Sequence, residues 1–237
     1  MRRSSWKDVP AGNRGIMEIL GISWLRETSY GTVRTGLRGE HGGLRDLYRS
    51  LRARTVLPEA LKDFGRFDPE SKRVCLCAAL ALHDAALAPH GPEMSEAGIL
   101  ITGAEGAHHA NLAYFRDYLA GGRSLGRGNL FIYTLPTSPA AETAIAFGMH
   151  GPLLYSGRRG ANGSHALNAA ARLVAAGQAG VMLCVLSDRD AVACYLLGAG
   201  KRRDRPGLLV RDVVAASGDS AALEKPWERS GFPKGWI

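Results

Sequence analysis

Apolar and polar positions along this chain fall into alternating strand-like and helix-like runs. The first apolar run, Ile16 to Trp24 (IMEILGISW), has the compactness of a buried strand. Leu44, Leu47, Tyr48 and Leu51 then recur at helical spacing. Arg45, Arg49 and Arg52 take the other side, which predicts a basic amphipathic helix over 42–54. Pro58 and the segment FGRFDPES break that pattern. Residues 71–87 are rich in alanine and leucine with no internal Gly or Pro, and predict a well-buried helix. After Gly91-Pro92, AGILIT (97–102) predicts a second buried strand, and the turn GAEGA leads into a helix over 109–120. GGRSLGRGN reads as a loop. A helix over 139–148 follows, with Ser138 as its expected cap and Pro139 at its first position. Gly151-Pro152 ends it, and LLYS (153–156) predicts a short strand. Another alanine-rich helix spans 164–176, with Ser164 as expected cap and Gly177 as its stop. Two last strands, 181–186 and 191–197, are joined by SDRD as a tight turn.

Strands that alternate with helices over most of the length predict an α/β layered domain, a mixed sheet with helices packed on both faces. The polar residues 1–14 are expected to form a flexible N-terminus and 15–200 the folded domain. Residues 201–237, with Pro206, Pro226 and Pro233, are expected to form a C-terminal extension.

Composition adds bounds. With 46% hydrophobic and 22% charged residues among 237, the chain reads as an ordinary globular one. It has no apolar run near the roughly 18 residues a membrane helix needs. The basic N-terminus is not followed by a secretory pattern, so a cytoplasmic protein is expected. The net charge of +8 favours an acidic partner. Zinc-finger spacing, aromatic RNA-binding motifs and basic zippers are all missing, so nucleic acid is not the expected one. Cys75, Cys77, Cys184 and Cys194 all sit in apolar runs, where cysteine acts as a small buried hydrophobe. Two residues apart on a helix, Cys75 and Cys77 do not share a face. No metal and no cofactor is therefore expected.

Three stretches, in order, carry a family resemblance. They are FGRFDPESKRVCLCAALALHDAAL (64–87), GILITGAEG (98–106) and LFIYTLPTSPAAETAIAFGMHGPLLYSGRRGANGSHALNAAARLVAAGQAGVMLCVLSD (130–188). Leu135-Pro136, Ile145, Phe147-Gly148 and Gly151-Pro152 fall in the order seen in the beta-ketoacyl synthases, condensing enzymes of thiolase-like fold. The chain thus resembles the N-terminal half of such an enzyme over about residues 16–200. The resemblance implies a thiolase-like layered fold and an acyltransferase ancestry in fatty-acid or polyketide biosynthesis.

The same resemblance implies a degenerate site. The family's nucleophilic cysteine sits nine residues after the glycine of the Gly-Pro pair, which here is Gly160. Glycine offers no sulfur to carry an acyl group as a thioester. The two histidines that the family uses to decarboxylate the extender unit lie in its C-terminal half, and the seven histidines here cannot be matched to them. The expected protein is a non-catalytic accessory resembling the chain-length-factor type. It would pair as a homo- or heterodimer with a catalytic synthase through Leu153–Ser156, or bind an acyl carrier protein by the arginine face of the 42–54 helix.

Two alternatives stay open. Ser164, or Ser156, could serve with His165 as a small hydrolase or acyltransferase, with Asp188 or Asp190 orienting the imidazole. GANGSHA, however, lacks the Gly-x-Ser-x-Gly elbow. Alternatively, the backbone amides of Gly160, Ala161, Asn162 and Gly163, at a helix N-terminus beside Arg158 and Arg159, could hold a carboxylate, a phosphate or the phosphate of pantetheine. His108 and His109, at another helix start, are expected at the surface.

Overall fold

A computed structural model describes residues 17–103, 105–123, 126–157, 163–199 and 208–210. Eight strands build one mixed sheet. They are β1 (Met17–Arg26), β2 (Ser29–Thr32), β3 (Arg38–Glu40), β4 (Ala97–Gly103), β5 (Leu153–Gly157), β6 (Val181–Ser187), β7 (Ala191–Ala199) and β8 (Leu208–Leu209). Their order across the sheet is β3-β2-β1-β7-β6-β4-β5, with β8 also paired to β1. β4 runs parallel to both β5 and β6, whereas β7 is antiparallel to β6 and β1. The helices are α1 (Leu44–Ala53), α2 (Pro69–Asp84), α3 (His108–Ala120), α4 (Gly128–Phe131), α5 (Ser138–Phe147) and α6 (Ser164–Ala175).

The period-two alternation of the strands sorts their side chains into two cores. Ile99, Ile101, Leu183, Val185, Val192 and Cys194 face α1, α2 and α5. Leu100, Met182, Cys184, Leu186, Ala193 and Tyr195 face α6. Both surfaces of the sheet are therefore covered, which is why β4 and β6 read as continuous apolar runs rather than alternating ones. The two alanine-rich helices predicted from sequence, α2 and α6, lie against opposite faces. Small side chains let them approach the sheet closely.

Three predicted helix starts need correction. α2 begins at Pro69 rather than at residue 71, because Asp68 caps it and accepts the Ser71 N–H at 2.9 Å; it also ends at Asp84, short of residue 87. Ser138 does not cap α5 but occupies its first helical position, where its hydroxyl donates to the Ile132 carbonyl. Ser164 likewise stands at the first position of α6, behind Gly163 at the cap. In both cases the preceding residue, Thr137 or Gly163, occupies the cap position. The other predicted helices and strands lie close to their expected bounds, but the short α4 begins inside the segment expected as a loop. Gly148 (φ +68°) and Gly177 (φ +69°) take left-handed conformations at the ends of α5 and α6, and SDRD is the tight turn joining β6 to β7.

The hairpin β2–β3 was not read from sequence. It is held by Asp84, a carboxylate 1% exposed at the end of α2. Its oxygens accept the N–H groups of Ile22 (2.8 Å), Arg34 (2.9 Å) and Thr35 (2.7 Å), and the Thr35 hydroxyl (3.1 Å). One side chain thus ties α2 to β1 and to the loop that follows β2.

Candidate functional site

In open α/β sheets the crevice at the carboxyl ends of parallel strands is where ligands sit. Here that end of β4, β5 and β6 opens into a cavity of about 680 Å³. Ile101, Thr102 and Gly103 of β4, Tyr155 of β5 and Ser187 of β6 form its floor. The first turn of α2, the β6–β7 turn, the start of α3 and the segment from α4 to the start of α5 close its sides.

The walls are tied together by polar contacts across long stretches of sequence. Arg73 on α2 bonds both Glu70 and the Arg189 carbonyl, and Glu70 also accepts the Ser187 hydroxyl. The start of α2 is thereby joined to the end of β6. The Tyr155 hydroxyl donates to the Gly103 carbonyl at 3.0 Å, fixing β5 against β4. Thr102 is 1% exposed and its hydroxyl has no hydrogen-bond partner.

Tyr133 and Glu142 pair behind this wall, the phenol donating to the carboxylate at 3.2 Å. Burial, and then Glu142, push the Tyr133 hydroxyl up to about 12. Burial, followed by the charges of Asp68 and Asp63, raises Glu142 above the ordinary carboxylate range, against the opposing effect of the Tyr133 bond. Because the folded form holds that proton more tightly than the unfolded chain, stability declines as pH rises from the ordinary carboxylate value through the raised one. Glu142→Gln is therefore expected to flatten the pH dependence of the melting temperature above the ordinary carboxylate value and to raise the melting temperature at neutral pH. Thermal melts of both proteins across that range check this; a variant less stable than the parent at neutral pH would contradict it.

The sequence-derived site residues are brought together only in part. Arg158, Arg159, Gly160, Ala161 and Asn162 lie outside the described residues. Gly163 is buried at the α6 cap, where an added Cβ would collide with the Leu186 side chain. His165 is half-buried in the first turn of α6, with both ring nitrogens enclosed and without a hydrogen-bond partner. Neither Asp188 nor Asp190 orients it, so the structure forms no serine–histidine–aspartate relay. Asp188 instead accepts the Arg189 N–H at 3.0 Å within the β6–β7 turn, and both aspartates line the cavity. His108 and His109 are exposed as expected, with His109 beside Glu105 at 2.9 Å.

All four cysteines are buried and none is in a disulfide. Burial raises the Cys75, Cys184 and Cys194 thiols well out of the reactive range. Among the described residues no group of three metal-ligating side chains converges, and no helix is long and apolar enough to cross a membrane.

Three surface features complete the picture. β5 is the last strand of the sheet, with one edge unpaired among the described residues and Leu154 41% exposed. On α5, which packs beside it, Ile145 is 75% exposed. α3 has no buried residue at all, and its Leu112, Phe115 and Leu119, spaced along one face, are all exposed. On α1, Leu47 and Leu51 are buried while Arg45 and Arg49 are exposed; the Arg52 guanidinium turns back to the Leu57 carbonyl at 2.9 Å.

No family model and no curated protein matches the chain. Solved structures do. The ishigamide ketosynthase/chain length factor superimposes with a TM-score of 0.53 at 15% identity, covering 92% of this chain and 74% of its own. A beta-ketoacyl synthase from Burkholderia phymatum STM815 gives 0.54 at 13% identity, covering 79% of this chain. The chain spans 60% of that enzyme's length. At such identities the likeness concerns architecture alone: this chain has the α/β thiolase-like fold of the ketosynthases.

Proposed function

We propose that this chain is a non-catalytic, ketosynthase-like accessory protein of fatty-acid or polyketide-type biosynthesis. It pairs with a catalytic synthase subunit or with its own kind, and lends its cavity to an acyl chain. The observation that carries this reading is the placement of the thiols. The whole sequence has no cysteine between Cys77 and Cys184, and all four that it has are core residues. A thioester-forming condensing enzyme needs an accessible thiolate at the turn before α6. The position that the family resemblance assigns to that thiol is Gly160.

Pairing is supported by the open edge of β5. An unpaired strand edge presents a row of N–H and C=O groups that a second strand can complete, and a twofold arrangement lets like edges complete each other. The exposed Leu154 and Ile145 beside that edge would be buried in such a pair, each contributing about 1–2 kcal/mol because part of each side chain is already covered. Arg45 and Arg49 on α1 offer the complementary face for an acidic carrier protein.

Native mass measurement tests the pairing. A dimer is expected, either of this chain alone or with a synthase encoded beside it, and Leu154→Lys should shift it toward monomer. A strict monomer at high concentration, alone and mixed with its neighbours' products, overturns the reading. Binding of an acyl carrier protein should weaken steeply with salt.

A further inference from the structure

The eight large apolar side chains that stand exposed among the described residues are not scattered. Leu112, Phe115 and Leu119 form one face of α3, and Phe131 and Ile132 stand beside it, where the Tyr114 and Phe131 rings meet at 5.7 Å. Leu135, Ile145 and Leu154 lead from there along α5 to the open edge of β5. Together they expose on the order of 700 Å², close to the ~800 Å² that each partner contributes to a stable pair.

α3 is a wall with two sides. Ala110 and Ala113 line the cavity. Positions 112 and 115 lie about 200° round the helix from them, so the face of Leu112, Phe115 and Leu119 looks away from the cavity. α3 has no buried residue and packs mainly on α4 and the turn Ile132–Thr134, where the Asn111 side chain donates to the Thr134 carbonyl at 3.2 Å. With a cavity on one side and an uncovered apolar face on the other, it belongs to the low-stability end of the fold.

Sheet geometry selects what covers that face. α5 runs opposite to β5: Pro139, at its start, lines the cavity, whereas Gly151, shortly after its end, donates to the Ala97 carbonyl where β4 begins (2.9 Å). Ile145 and α3 therefore lie at opposite ends of the β5 edge. A twofold axis through the middle of β5 makes two copies of the strand antiparallel. It brings Ile145 of the partner subunit to the end where α3 and α4 stand. Apolar surfaces separated within one chain thus become neighbours across two.

We propose that the outer face of α3 and α4 is covered by a second copy of this chain, and that this wall couples pairing to occupancy of the cavity. An acyl chain against Ala110 and Ala113 orders the wall from inside, and the partner orders it from outside. Each event makes the other easier, by the same factor in both directions. The inference rests on the preceding reading in taking β5 as the pairing edge and the cavity as the place of the chain.

Sedimentation velocity of the full chain at about 0.15 M salt, with and without the acyl thioester octanoyl-N-acetylcysteamine, tests this. A dimer is expected whose Kd falls about tenfold or more once the thioester is saturating. The α3 amides should exchange more slowly in the loaded dimer than in either the empty dimer or the monomer. Phe115→Lys/Leu119→Lys alters two exposed positions and leaves the core untouched. It should weaken the dimer about tenfold or more and bind the thioester correspondingly less tightly, with an unchanged far-UV spectrum. A dimer indifferent to the folded double variant, or to a thioester shown to bind, overturns the inference and leaves pairing through β5 standing. Absence of thioester binding overturns the coupling and the acyl cavity together. A chain that is monomeric alone and pairs only with a synthase overturns the second copy as occupant. A strict monomer in every mixture overturns the preceding reading as well.

Discussion

Asp84→Ala is expected to be the most damaging single substitution in the described core, with a loss of about 3–5 kcal/mol. The carboxylate sits at the end of α2 and accepts three backbone N–H groups and one hydroxyl, all drawn from β1 and the loop after β2. Alanine removes every acceptor at once: the buried Ile22 N–H is left without a partner, at a cost of about 1–3 kcal/mol, and the part-buried Arg34 and Thr35 groups lose the contact that fixes their loop. Most of that loss belongs to the orphaned donors, not to the charge. Asp84→Asn, which keeps one carbonyl oxygen in place, should therefore recover roughly half of the lost stability. Urea denaturation of the three proteins measures this. Two variants of equal stability would mean that the donors find other partners, and that Asp84 is not the tie between α2 and the hairpin.

The order of strands and helices was legible from sequence because each major element carries its own periodicity. Val181–Ser187 and Ala191–Ala199 are apolar runs around a turn of polar residues, and their short length and the turn between them favour a pair of buried strands. The hairpin β2–β3 was missed for the opposite reason. Its strands have four and three residues, contain glycine and lie at the sheet edge, so no alternation accumulates. The signal that could have exposed it was Asp84, an acid inside an alanine and leucine run. A buried carboxylate there demands several donors, and a nearby loop is the usual supplier. The start of α2 was also written in the sequence, as Asp68-Pro69, but the apolar run that begins later drew the boundary inward. The cavity is a different matter. Glu70 meets Ser187 and Arg73 meets Arg189 across more than a hundred residues, and neither contact follows from local spacing. Asp188 and Asp190 were singled out as orienters of His165, whereas their place is the cavity wall. Sequence identified the residue types, but only the sheet order β6-β4-β5 decides which of them meet.

α2 also packs closely on β1, and Gly21 is a point of close approach between them. Gly21 occupies the irregularity in the β1–β7 pairing, directly under α2. A Cβ added there would fall inside van der Waals contact of the Ala81 carbonyl oxygen, and only 2.8 Å from the Ala85 nitrogen and 2.9 Å from its Cβ. None of these atoms belongs to a side chain that can rotate away. Ala81 and Ala85 are joined by a helical hydrogen bond of 3.0 Å, so the last turn of α2 must shift as a unit. That displacement also drags Asp84 away from its donors. Gly21→Ala is accordingly expected to cost about 3 kcal/mol, the upper end of overpacking effects. Gly36→Ala gives the matched control. Its φ of +66° is strained for alanine, yet nothing lies within 4 Å of the added methyl, so its cost is the backbone one alone, of about 1 kcal/mol. If both variants melt at the same temperature, the contact between α2 and β1 is softer than this geometry implies. If Gly21→Ala melts well below Gly36→Ala and its amides at Ile22, Arg34 and Thr35 exchange faster, the close approach and the Asp84 tie act as one unit.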